Sequence, residues 1–463
     1  MQLSDREEEK KLNLIRDIFQ AGDEDKLRDH LQDTPVVEIA DFVRELDLDD
    51  TVKVINMLDE EKKGWLFTEF DEDQLYELFV HIDKKEFAEI FSQMSSDTRA
   101  DFYQYLDKDE QIILLPYLEK KIREDVISLS AYPPETAGGI MNTDFATVLI
   151  SMSVKEAISK IRKDAPSKKM LYYVYVVDHH RRMLGFVTLK DLILADPEDT
   201  VKEVLHDNFI FARVDEDRES VAGKIEKYDL VAIPVLNPAE QLVGIVSHDD
   251  AIDVIRAEHT EDLEKFMGII HTRDEVGYLD TNAFEHFKRR VVWVTGLAFV
   301  GIISGVILHS YEGALEQLMI LALYLPMLAD TGGNSGSQAA TVVVRALALN
   351  QISVKNWFMI LFKEAKIAIL LALCLGALAY LKVLFLSWET DIPDGYNLYN
   401  IALIISLALS LQVITATVIG ASLPMIVKRF GGDPAVAASP AITTVVDITG
   451  LLIYFTMATT FLL

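Results

Sequence analysis

The chain has 463 residues, enough for several domains, and a formal net charge of −29. The acid is concentrated in residues 1–287, which carry 34 Lys and Arg against 64 Asp and Glu, whereas residues 288–463 carry 10 against 9. This excess of acid argues against nucleic acid as a partner, because phosphates require Lys and Arg; it suits hard divalent cations or serves solubility alone.

Cysteine content and the opening residues indicate that the acidic part lies in the cytosol. Cys374 is the only cysteine, so no intrachain disulfide can form, as is usual in reducing compartments. The opening residues, MQLSDREEEKKLNLIRDIF, lack the apolar core of a secretory signal.

Residues 46–118 contain apolar anchors that recur every twelve positions. The first row is Leu46, Leu58, Phe70, Ile82, Met94, Leu106 and Leu118, and a second row in step is Val54, Leu66, Leu78, Ile90, Phe102 and Leu114. A fixed period of this kind predicts an α-helical solenoid with one short helix and its turn per repeat. We therefore predict an acidic helical-repeat domain over residues 1–135.

An acid, or serine in one case, follows each anchor of the first row. These residues are Asp47, Asp59, Asp71, Asp83, Ser95, Asp107 and Glu119. The position is suited to capping the next helix, so we interpret these residues as structural. Glu86 and Glu89 lie away from the capping positions and are the candidates in this domain for contact with a metal ion.

Residues 142–200 and 201–258 form a second, different repeat. LYYVYVVDHHRRMLGFVTLKDLI, which is Leu171–Ile193, echoes LVAIPVLNPAEQLVGIVSHDDAI, which is Leu230–Ile252. Each half is predicted to fold as a helix, an apolar strand, a turn, a second strand and a final helix.

The final helix of each half begins with the pattern S/T-x-x-D, at Thr188–Asp191 and at Ser247–Asp250. This pattern can cap a helix. It also resembles the ribose-contacting element of paired cystathionine-β-synthase (CBS) modules. By that resemblance, residues 136–200 and 201–258 are an α/β tandem CBS pair, which regulates and does not catalyse. The resemblance makes Thr188 and Asp191 candidates for binding an adenine nucleotide such as ATP, with helix capping as the alternative.

Acidic residues crowd the stretch after the second module, where we predict a connecting (plug) helix over residues 259–287. Glu258, Glu261 and Asp262 lie within about one helical turn of one another. Like charges at this spacing destabilise a helix unless a cation answers them, and Lys265 answers them in part. The cluster is either a regulatory metal site or a solvated face.

Five apolar segments follow residue 290. They are residues 291–308, 318–349, 367–386, 401–427 and 435–463. The first, third and fourth can cross a hydrocarbon core of about 30 Å, while the second and fifth contain prolines and polar residues. We predict an all-α transmembrane domain of five helices over residues 288–463.

Basic residues give the orientation of these segments. Lys288–Arg290 precede the first segment, residues 345–366 with four basic side chains surround the loop after the second, and Lys428 and Arg429 lie between the fourth and fifth. All three groups fall on one face if five segments cross. The positive-inside rule then places the N-terminus in the cytosol and the C-terminus outside, in a multi-pass protein of the cell (inner) membrane.

The second segment contains residues that weaken a helix, namely Pro326 and the run Gly332–Gly336. We expect irregular backbone here, which is tolerated at membrane depth only where it is buried in protein or lines a cavity. Asn334 and Gln338 share one helical face, and their amide oxygens, with freed carbonyls, could hold a hydrated cation. The alternative is close packing of helices through small residues.

Asp447 lies near the middle of the last apolar segment. A charge at bilayer depth costs at least a few kcal/mol, so such residues mostly mark ion pathways. The alternative is an acid neutralised by a proton or tied to the helix backbone. Ser439 lies on the approach to it. Asp433, which precedes Pro434, fits a helix N-cap, with a place at a pore mouth as the second interpretation.

The order of a helical repeat, a CBS pair, an acidic connecting helix and five spans resembles the MgtE family of magnesium channels and transporters over nearly the full length. The specific motifs are TGGNSGSQAATVVVRALA (331–348), GGDPAVAASP (431–440) and TTVVDITGLLIYF (443–455). The last, an intramembrane Asp followed by ITGLLIYF, is the most distinctive. The resemblance implies a homodimer with its pore at the subunit interface.

By the same resemblance, the pore carboxylate of the family is Asp447, and the Asp of its pore mouth is Asp433. Ser439 stands where some members have Asn. The regulatory acids of the family fall on Asp217, Glu219, Asp250, Asp253, Glu258, Glu261 and Asp262. The acids of the family's helical repeat align poorly here, so Glu86 and Glu89 rest on their positions alone.

We therefore expect a Mg²⁺-selective channel or transporter for uptake, closed by cytosolic Mg²⁺ bound between acidic domains, and not an enzyme. Because Mg²⁺ gives up water reluctantly, a ring of two Asp447 carboxylates would select it through its water shell. The alternatives are a CBS-regulated secondary transporter of another divalent cation, such as Co²⁺ or Mn²⁺, and a membrane sensor that reports ion level without transport.

Overall fold

The structure is a computed structural model that describes residues 2–164, 170–272, 278, 281–349, 351–390, 392–437 and 439–463. The side chains of residues 2–10, 170 and 171 are outside the description. The chain divides into two compact units, Met1–Ala257 and Glu258–Leu463.

Short helices fill the first part of the first unit. They are α1 (Gln2–Gln20), α2 (Glu24–Asp33), α3 (Val36–Val43), α4 (Leu48–Met57), α5 (Glu60–Thr68), α6 (Glu72–His81), α7 (Lys84–Phe91), α8 (Ser96–Tyr105), α9 (Lys108–Leu114) and α10 (Lys120–Leu129). From α4 onward there is one helix per twelve-residue repeat. Both anchor rows are buried in one apolar core, with Leu46 only partly buried.

The predicted capping role of the acids is confirmed at five of the seven positions. The carboxylates of Asp47, Asp59, Asp71, Asp83 and Asp107 accept hydrogen bonds from backbone N–H groups of the first turn of the following helix. Ser95 and Glu119 stand at the same positions without a side-chain cap. A cap satisfies donors that the helix itself leaves unpaired, which explains why the acid recurs with the period.

Two three-stranded sheets follow in the first unit. Their elements are α11 (Ala137–Ile140), β1 (Phe145–Leu149), α12 (Val154–Asp164), β2 (Met170–Val177), β3 (Met183–Thr188), α13 (Leu189–Leu194), β4 (Ala212–Arg213), α14 (Arg218–Lys227), β5 (Ala232–Leu236), β6 (Leu242–Ser247) and α15 (His248–Phe266). In each sheet the first two strands are parallel and the last two antiparallel. The predicted order of helix, strand, strand and helix is confirmed in both halves.

Among the described residues of the predicted connecting helix, residues 259–266 belong to α15 and residues 283–287 to the next helix, Ala283–Ser310. Helix α15 ends at Phe266, and Gly268 follows with a φ of +70°, which glycine adopts without strain. Part of the predicted connecting helix, residues 273–277 and 279–280, lies outside the described residues.

Long helices make up most of the second unit. They are α16 (Ala283–Ser310), α17 (Glu312–Gln317), α18 (Ile320–Leu323), α19 (Leu325–Ala348), α20 (Trp357–Leu386), α21 (Leu398–Arg429) and α22 (Ser439–Phe461). An apolar core joins α19, α20, α21 and α22 through side chains such as Leu328, Val383, Ile405 and Tyr454.

Four helices of the described residues are long and apolar enough to cross a membrane. They lie at Ala283–Ser310, Val354–Leu386, Leu398–Arg429 and Ser439–Phe461. Helix α19 has 24 residues, or about 36 Å at 1.5 Å per residue, but it includes Asp330, Asn334, Gln338 and Arg345 and is not among the four.

The expectation of irregular backbone in the second segment is wrong. Helix α19 runs without interruption through Gly332–Gly336, and Pro326 lies in its first turn, where its missing N–H is tolerated. The glycines instead bring helices together: a Cβ added at Gly420 of α21 would lie 2.0 Å from the carbonyl oxygen of Gly336. Close packing through small residues, the alternative interpretation, explains this run.

Candidate functional site

Hydroxyl groups link α19 to α22 in the second unit. The Ser439 hydroxyl donates to Ser337 Oγ at 2.9 Å, and the hydroxyls of Ser337 and Thr443 are 3.4 Å apart. We call the strip formed by Ser337, Ser439 and Thr443 the α19–α22 seam. It is a line of polar groups between two helices of the bundle.

Asp447 lies one helical turn beyond Thr443 on the same face of α22. Its Oδ1 is buried and has no hydrogen-bond partner among the described residues. A buried carboxylate oxygen without a donor is costly unless a cation or water satisfies it. The helix backbone therefore does not bond this oxygen of Asp447, contrary to the alternative in which the backbone holds the acid.

Asn334 and Gln338 are exposed on the surface of the protomer. The Asn334 side-chain amide donates to Asp330 Oδ1 at 3.2 Å, one turn earlier on α19. Sequence reasoning did not single out Asp330. The i, i+4 spacing of an acid and an amide within a membrane segment was the signal that could have identified it.

Asp433 has two partners. Its Oδ1 accepts the N–H of Ala435, so the predicted cap is confirmed, here on a short 3-10 turn at Pro434–Val436. Its Oδ2 accepts a hydrogen bond of 2.9 Å from Lys265 Nζ. Lys265 also bonds Glu261, so one ammonium group joins α15 to the segment between α21 and α22. We call Glu261, Lys265 and Asp433 the α15 ion triad.

Asp262 and Glu258 lie near this triad. Burial raises the pKa of Asp262, and the charges of Asp433, Glu258 and Glu261 add to the effect while Lys265 opposes it. Burial lowers the pKa of Lys265, but its hydrogen bonds to Glu261 and Asp433 outweigh this and raise it above its usual range. Lys265 therefore compensates part of the negative charge of these crowded acids, as its spacing from them predicted.

Further contacts hold the end of α15 within the second unit. Phe266 packs against the cluster of Ala340, Ala416, Ile442 and Val446, which belongs to α19, α21 and α22. Glu264 bonds Arg289 at the start of α16, at 2.7 Å. A displacement of α15 would thus reach the helices that form the α19–α22 seam.

In the first unit, Asp250 lies at the start of α15 in a cluster of acids that includes two residues of α8. Burial raises the pKa of Asp250 to about 7, with a further rise from the Asp97 charge against the lowering effect of its hydrogen bond from Ser247. Desolvation, and then the charges of Asp97, Glu72 and Asp250, raises the pKa of Asp101, although this residue is exposed on the surface of the chain.

Asp97 and Asp101 are acids that sequence reasoning missed. They lie four residues apart on α8, a repulsive spacing that needs an answering cation. Asp97 Oδ1 is buried and has no hydrogen-bond partner within the described part of the chain.

The other predicted acids are dispersed. Asp217 caps α14 through the N–H of Ser220, and Glu219 lies exposed in the first turn of that helix. Asp253 is 3.6 Å from Arg256 on the surface of α15. On α7, Glu86 is half-buried and Glu89 is 3.9 Å from Lys85. In the described ranges, no group of three or more His, Cys, Asp or Glu residues is arranged to hold a metal ion.

The S/T-x-x-D element of the first module forms a capping box. Thr188 Oγ1 accepts the N–H of Asp191, and Asp191 Oδ2 accepts the N–H of Thr188 at 2.9 Å. The ring of His206 stacks on Phe186 and bonds the same carboxylate oxygen at 2.9 Å. Burial tends to raise the pKa of Asp191, but these hydrogen bonds outweigh burial and lower the pKa.

Comparison with known proteins identifies the family. Residues 34–135 match the model of the MgtE intracellular N domain, residues 137–198 and 201–257 match the CBS domain, and residues 325–457 match the family described as a divalent cation transporter, MgtE. The magnesium transporter MgtE of Thermus thermophilus is 36% identical over 340 residues, 73% of each chain. That of Bacillus subtilis is 34% identical over 335 residues, 72% of this chain and 71% of its own.

The chain belongs to the MgtE family. Its MgtE relatives are membrane transporters and not enzymes, as expected. The two α/β modules are a CBS pair.

Two solved structures resemble about half of this chain. The crystal structure of the soluble part of a magnesium transporter aligns with a TM-score of 0.51 at 28% identity, covering 54% of this chain and 99% of its own. The cytosolic domain of the Mg²⁺ channel MgtE in complex with ATP aligns with a TM-score of 0.50 at 30% identity, covering 52% and 98%.

Proposed function

We propose that this MgtE-family protein is a Mg²⁺-selective channel or transporter for magnesium uptake, closed by Mg²⁺ in the cytosol. The observation that carries the proposal is Asp447. It is a carboxylate in the middle of an apolar helix, continuous with a strip of hydroxyl groups, with one buried oxygen that lacks a donor among the described residues. A hydrated divalent cation supplies what this oxygen lacks.

The membrane domain in this proposal has five crossing helices, with α19 as the fifth beside the four apolar ones. Its polar side chains are tolerated because it packs between α21 and α22 and presents its polar face to an ion path. Five crossings place every basic cluster on the cytosolic side, with the N-terminus inside and the C-terminus outside.

A homodimer completes the path. Two copies of Asp447 on the subunit interface would form the ring of negative charge that selects cations in many channels. Asn334, Gln338 and Ser439 line the path near it, and Asp433 lies at its cytosolic mouth. Carboxylates and amides suit Mg²⁺ because they bind its tightly held water without stripping it.

Closure depends on the α15 ion triad and the acids beside it. Lys265 now neutralises part of the charge of Glu261 and Asp433, and Glu258 and Asp262 complete the cluster. Mg²⁺ bound by these acids favours the conformation in which they lie closest together, because its affinity differs between the two states. Phe266 passes the change to α19 and α22.

In the first unit, we propose that Asp250 takes part in binding a regulatory Mg²⁺, with Asp97 and Asp101 on α8 contributing negative charge nearby and not a closed set of three ligands. Burial raises the pKa values of Asp250 and Asp101 most, the charges of neighbouring acids add to the rise, and a divalent cation would relieve this repulsion. Asp217, Glu219 and Asp253 are further regulatory candidates, and Glu86 and Glu89 remain predictions from sequence. Domain limits at residues 135, 200, 258 and 287 are part of the same proposal.

Adenine nucleotide at the CBS pair is the second regulatory ligand that we propose. Thr188 and Asp191 are the candidates, and the related cytosolic domain in complex with ATP supports the proposal. His206 bonds Asp191 in the present conformation, so a ribose that bonded the same carboxylate would displace it.

The decisive experiment is Mg²⁺ flux in proteoliposomes, with and without a membrane potential, for the wild type and for Asp447→Ala. We expect Asp447→Ala to abolish flux in a protein that elutes as the wild type does. Normal flux in this variant refutes the pore assignment, and flux that requires a proton or sodium gradient favours a secondary transporter.

Gating is tested in the same vesicles by neutralising Glu258, Glu261 and Asp262 together as Gln, Gln and Asn. We expect inhibition by Mg²⁺ on the cytosolic side to require a higher concentration. Inhibition at the wild-type concentration would count against this site.

A further inference from the structure

We propose that Asp330 is a second carboxylate of the ion path, at the same depth as Asp447, and that it sets affinity and selectivity for divalent cations. The inference rests on the proposed function, because it adds a residue to that path. It is carried by the register of α19 against α22, by the exposure of Asp330, and by a buried amide at the same level.

The contacts between α19 and α22 fix their register. Ser337 bonds Ser439 and Thr443, a Cβ at Gly333 would lie 3.0 Å from Thr443 Cγ2, and a Cβ at Gly332 would lie 3.1 Å from Val446 Cγ1. Numbers fall on α19 as they rise on α22, so the helices are antiparallel. One step further along this register, Asp330 is level with Asp447.

The two acids also share a face. Asp330, Asn334 and Ser337 are separated by four and three residues, and Ser439, Thr443 and Asp447 by four and four, so each set forms one stripe. The stripes meet at the α19–α22 seam. The bond from Asn334 to Asp330 Oδ1 shows that the Asp330 side chain follows its stripe.

A buried amide marks the same level from α21. Gln412 is 1% exposed, and neither of its amide atoms has a hydrogen-bond partner within the described part of the chain. Its Nε2 lies 2.3 Å from a Cβ built at Gly332 and 2.1 Å from one built at Gly450, so the amide fills the space that these two glycines leave. Gly332 is two residues from Asp330, and Gly450 is three from Asp447.

These observations point to a ligand. Asp330 is exposed on the protomer, and a charge at membrane depth is too costly to face lipid. The surface that it shares with Asp447 must therefore meet water, a cation or a second protomer. Two carboxylates at one level favour a divalent over a monovalent cation, because their combined charge attracts the double charge more strongly.

The test compares Asp330→Asn, Asp447→Asn and Asp394→Asn in the full chain, reconstituted in proteoliposomes with a Mg²⁺-sensitive dye. Asp394 is an exposed carboxylate between α20 and α21 and serves as the matched control. We expect Asp330→Asn to raise the half-saturating Mg²⁺ concentration about tenfold, the effect of about 1.4 kcal/mol of binding, and to admit more Na⁺. Asp394→Asn should behave as the wild type, and Asp330→Glu should recover most of the affinity.

If Asp330→Asn keeps the affinity and selectivity of the wild type while Asp447→Asn loses flux, this inference is overturned. The proposed function then still holds. Flux retained in both variants overturns the proposed function itself. The two failures are thus distinguishable.

A labelling experiment covers the case in which Asp330→Asn folds poorly. Cys374 is the only cysteine, so Cys374→Ser provides a cysteine-free background for Asp330→Cys and Asp394→Cys. We expect a cationic, water-soluble thiol reagent to label Asp330→Cys and Mg²⁺ to slow that labelling, with no effect of Mg²⁺ on Asp394→Cys. If only lipid-soluble reagents label Asp330→Cys, the position faces lipid. If Mg²⁺ does not slow the labelling, the position lies off the path. Either result overturns the inference.

Discussion

The capping acids of the helical repeat and Asp447 of the membrane helix are the same chemical group in opposite surroundings. Asp71 and Asp107 accept backbone N–H groups at helix starts, where the helix leaves such donors unpaired. Asp447 lies in mid-helix, where the backbone bonds itself, and its buried oxygen has no donor in the described ranges. The donors around the carboxylate thus separate the caps of the repeat from Asp447, for which we propose an ion-binding role.

Asp433 is intermediate between these extremes. It caps a 3-10 turn with one oxygen and pairs with Lys265 through the other. In the gating that we propose, a metal ion would replace its cationic partner, whereas the backbone N–H would stay in place. This makes the α15 ion triad suited to regulation and the caps of the repeat suited to stability.

The largest effect is expected where helix packing holds the α19–α22 seam. In Gly420→Ala the added Cβ would lie 2.0 Å from the Gly336 carbonyl oxygen, so α19 and α21 must separate. We expect a loss of about 2 kcal/mol or more and loss of Mg²⁺ flux, measured by thermal unfolding and by uptake in vesicles.

Gly301→Ala is the matched control, because a Cβ there meets nothing within 4 Å. Equal behaviour of the two variants would mean that close packing of α19 and α21 does not support the ion path.

A smaller effect is expected when the α15 ion triad loses its cation. Lys265→Met leaves Glu261 and Asp433 without their common partner and removes the competitor for Mg²⁺. We expect Mg²⁺ to inhibit flux at a concentration several-fold below that for the wild type, with uptake at low Mg²⁺ retained. Lys288→Met, which breaks an exposed pair with Glu285, should leave inhibition unchanged. Weaker inhibition in Lys265→Met would reverse the proposed role of this lysine.

The acid cluster around Asp250 predicts a dependence on pH. The pKa of Asp250 is about 7 in the folded chain and about 3.9 when unfolded, so the folded state holds the proton more tightly. Its contribution to stability is complete below about pH 4 and is lost as the pH rises through about 7. We expect the unfolding temperature without Mg²⁺ to fall between pH 6 and pH 8. Added Mg²⁺ should raise the unfolding temperature more at pH 8 than at pH 6.

Asp250→Asn is the control for this dependence, since an amide does not titrate; the fall should become smaller, with the remainder due to Asp101, whose pKa is also raised. A wild-type slope in Asp250→Asn would assign the effect to other groups.

Features that depend on residues close together in the sequence could be predicted, whereas features that depend on distant residues could not. The caps were predictable because Asp71 and its helix are adjacent in the chain. The register partner of Gly336 was not, because Gly420 lies on a different helix, and local propensity alone wrongly predicted irregular backbone. Lys265 and Asp433 are 168 residues apart, so only the fold could reveal that they pair.

The same contrast holds for the acids that we propose to bind metal ions: some could be identified from the sequence and others only from the fold. Glu258, Glu261 and Asp262 were recognisable by their spacing within one helix. The proximity of Asp97 on α8 to Asp250 on α15 depends on packing between distant segments, for which twelve-residue periodicity gives no information.

The smallest effect is expected for a capping acid, and it tests the comparison from its structural side. Asp83 accepts N–H groups of Lys85 and Glu86 at the start of α7, and Asp83→Ala should cost about 1 kcal/mol in thermal unfolding while Mg²⁺ flux and its inhibition stay at wild-type values. Asp83→Asn should cost less, because its amide oxygen can still accept these bonds. If Asp83→Asn instead weakened inhibition by Mg²⁺ with stability preserved, the charge and not the cap would be what matters at this position, and the division between capping and ion-binding acids would not hold for the repeat.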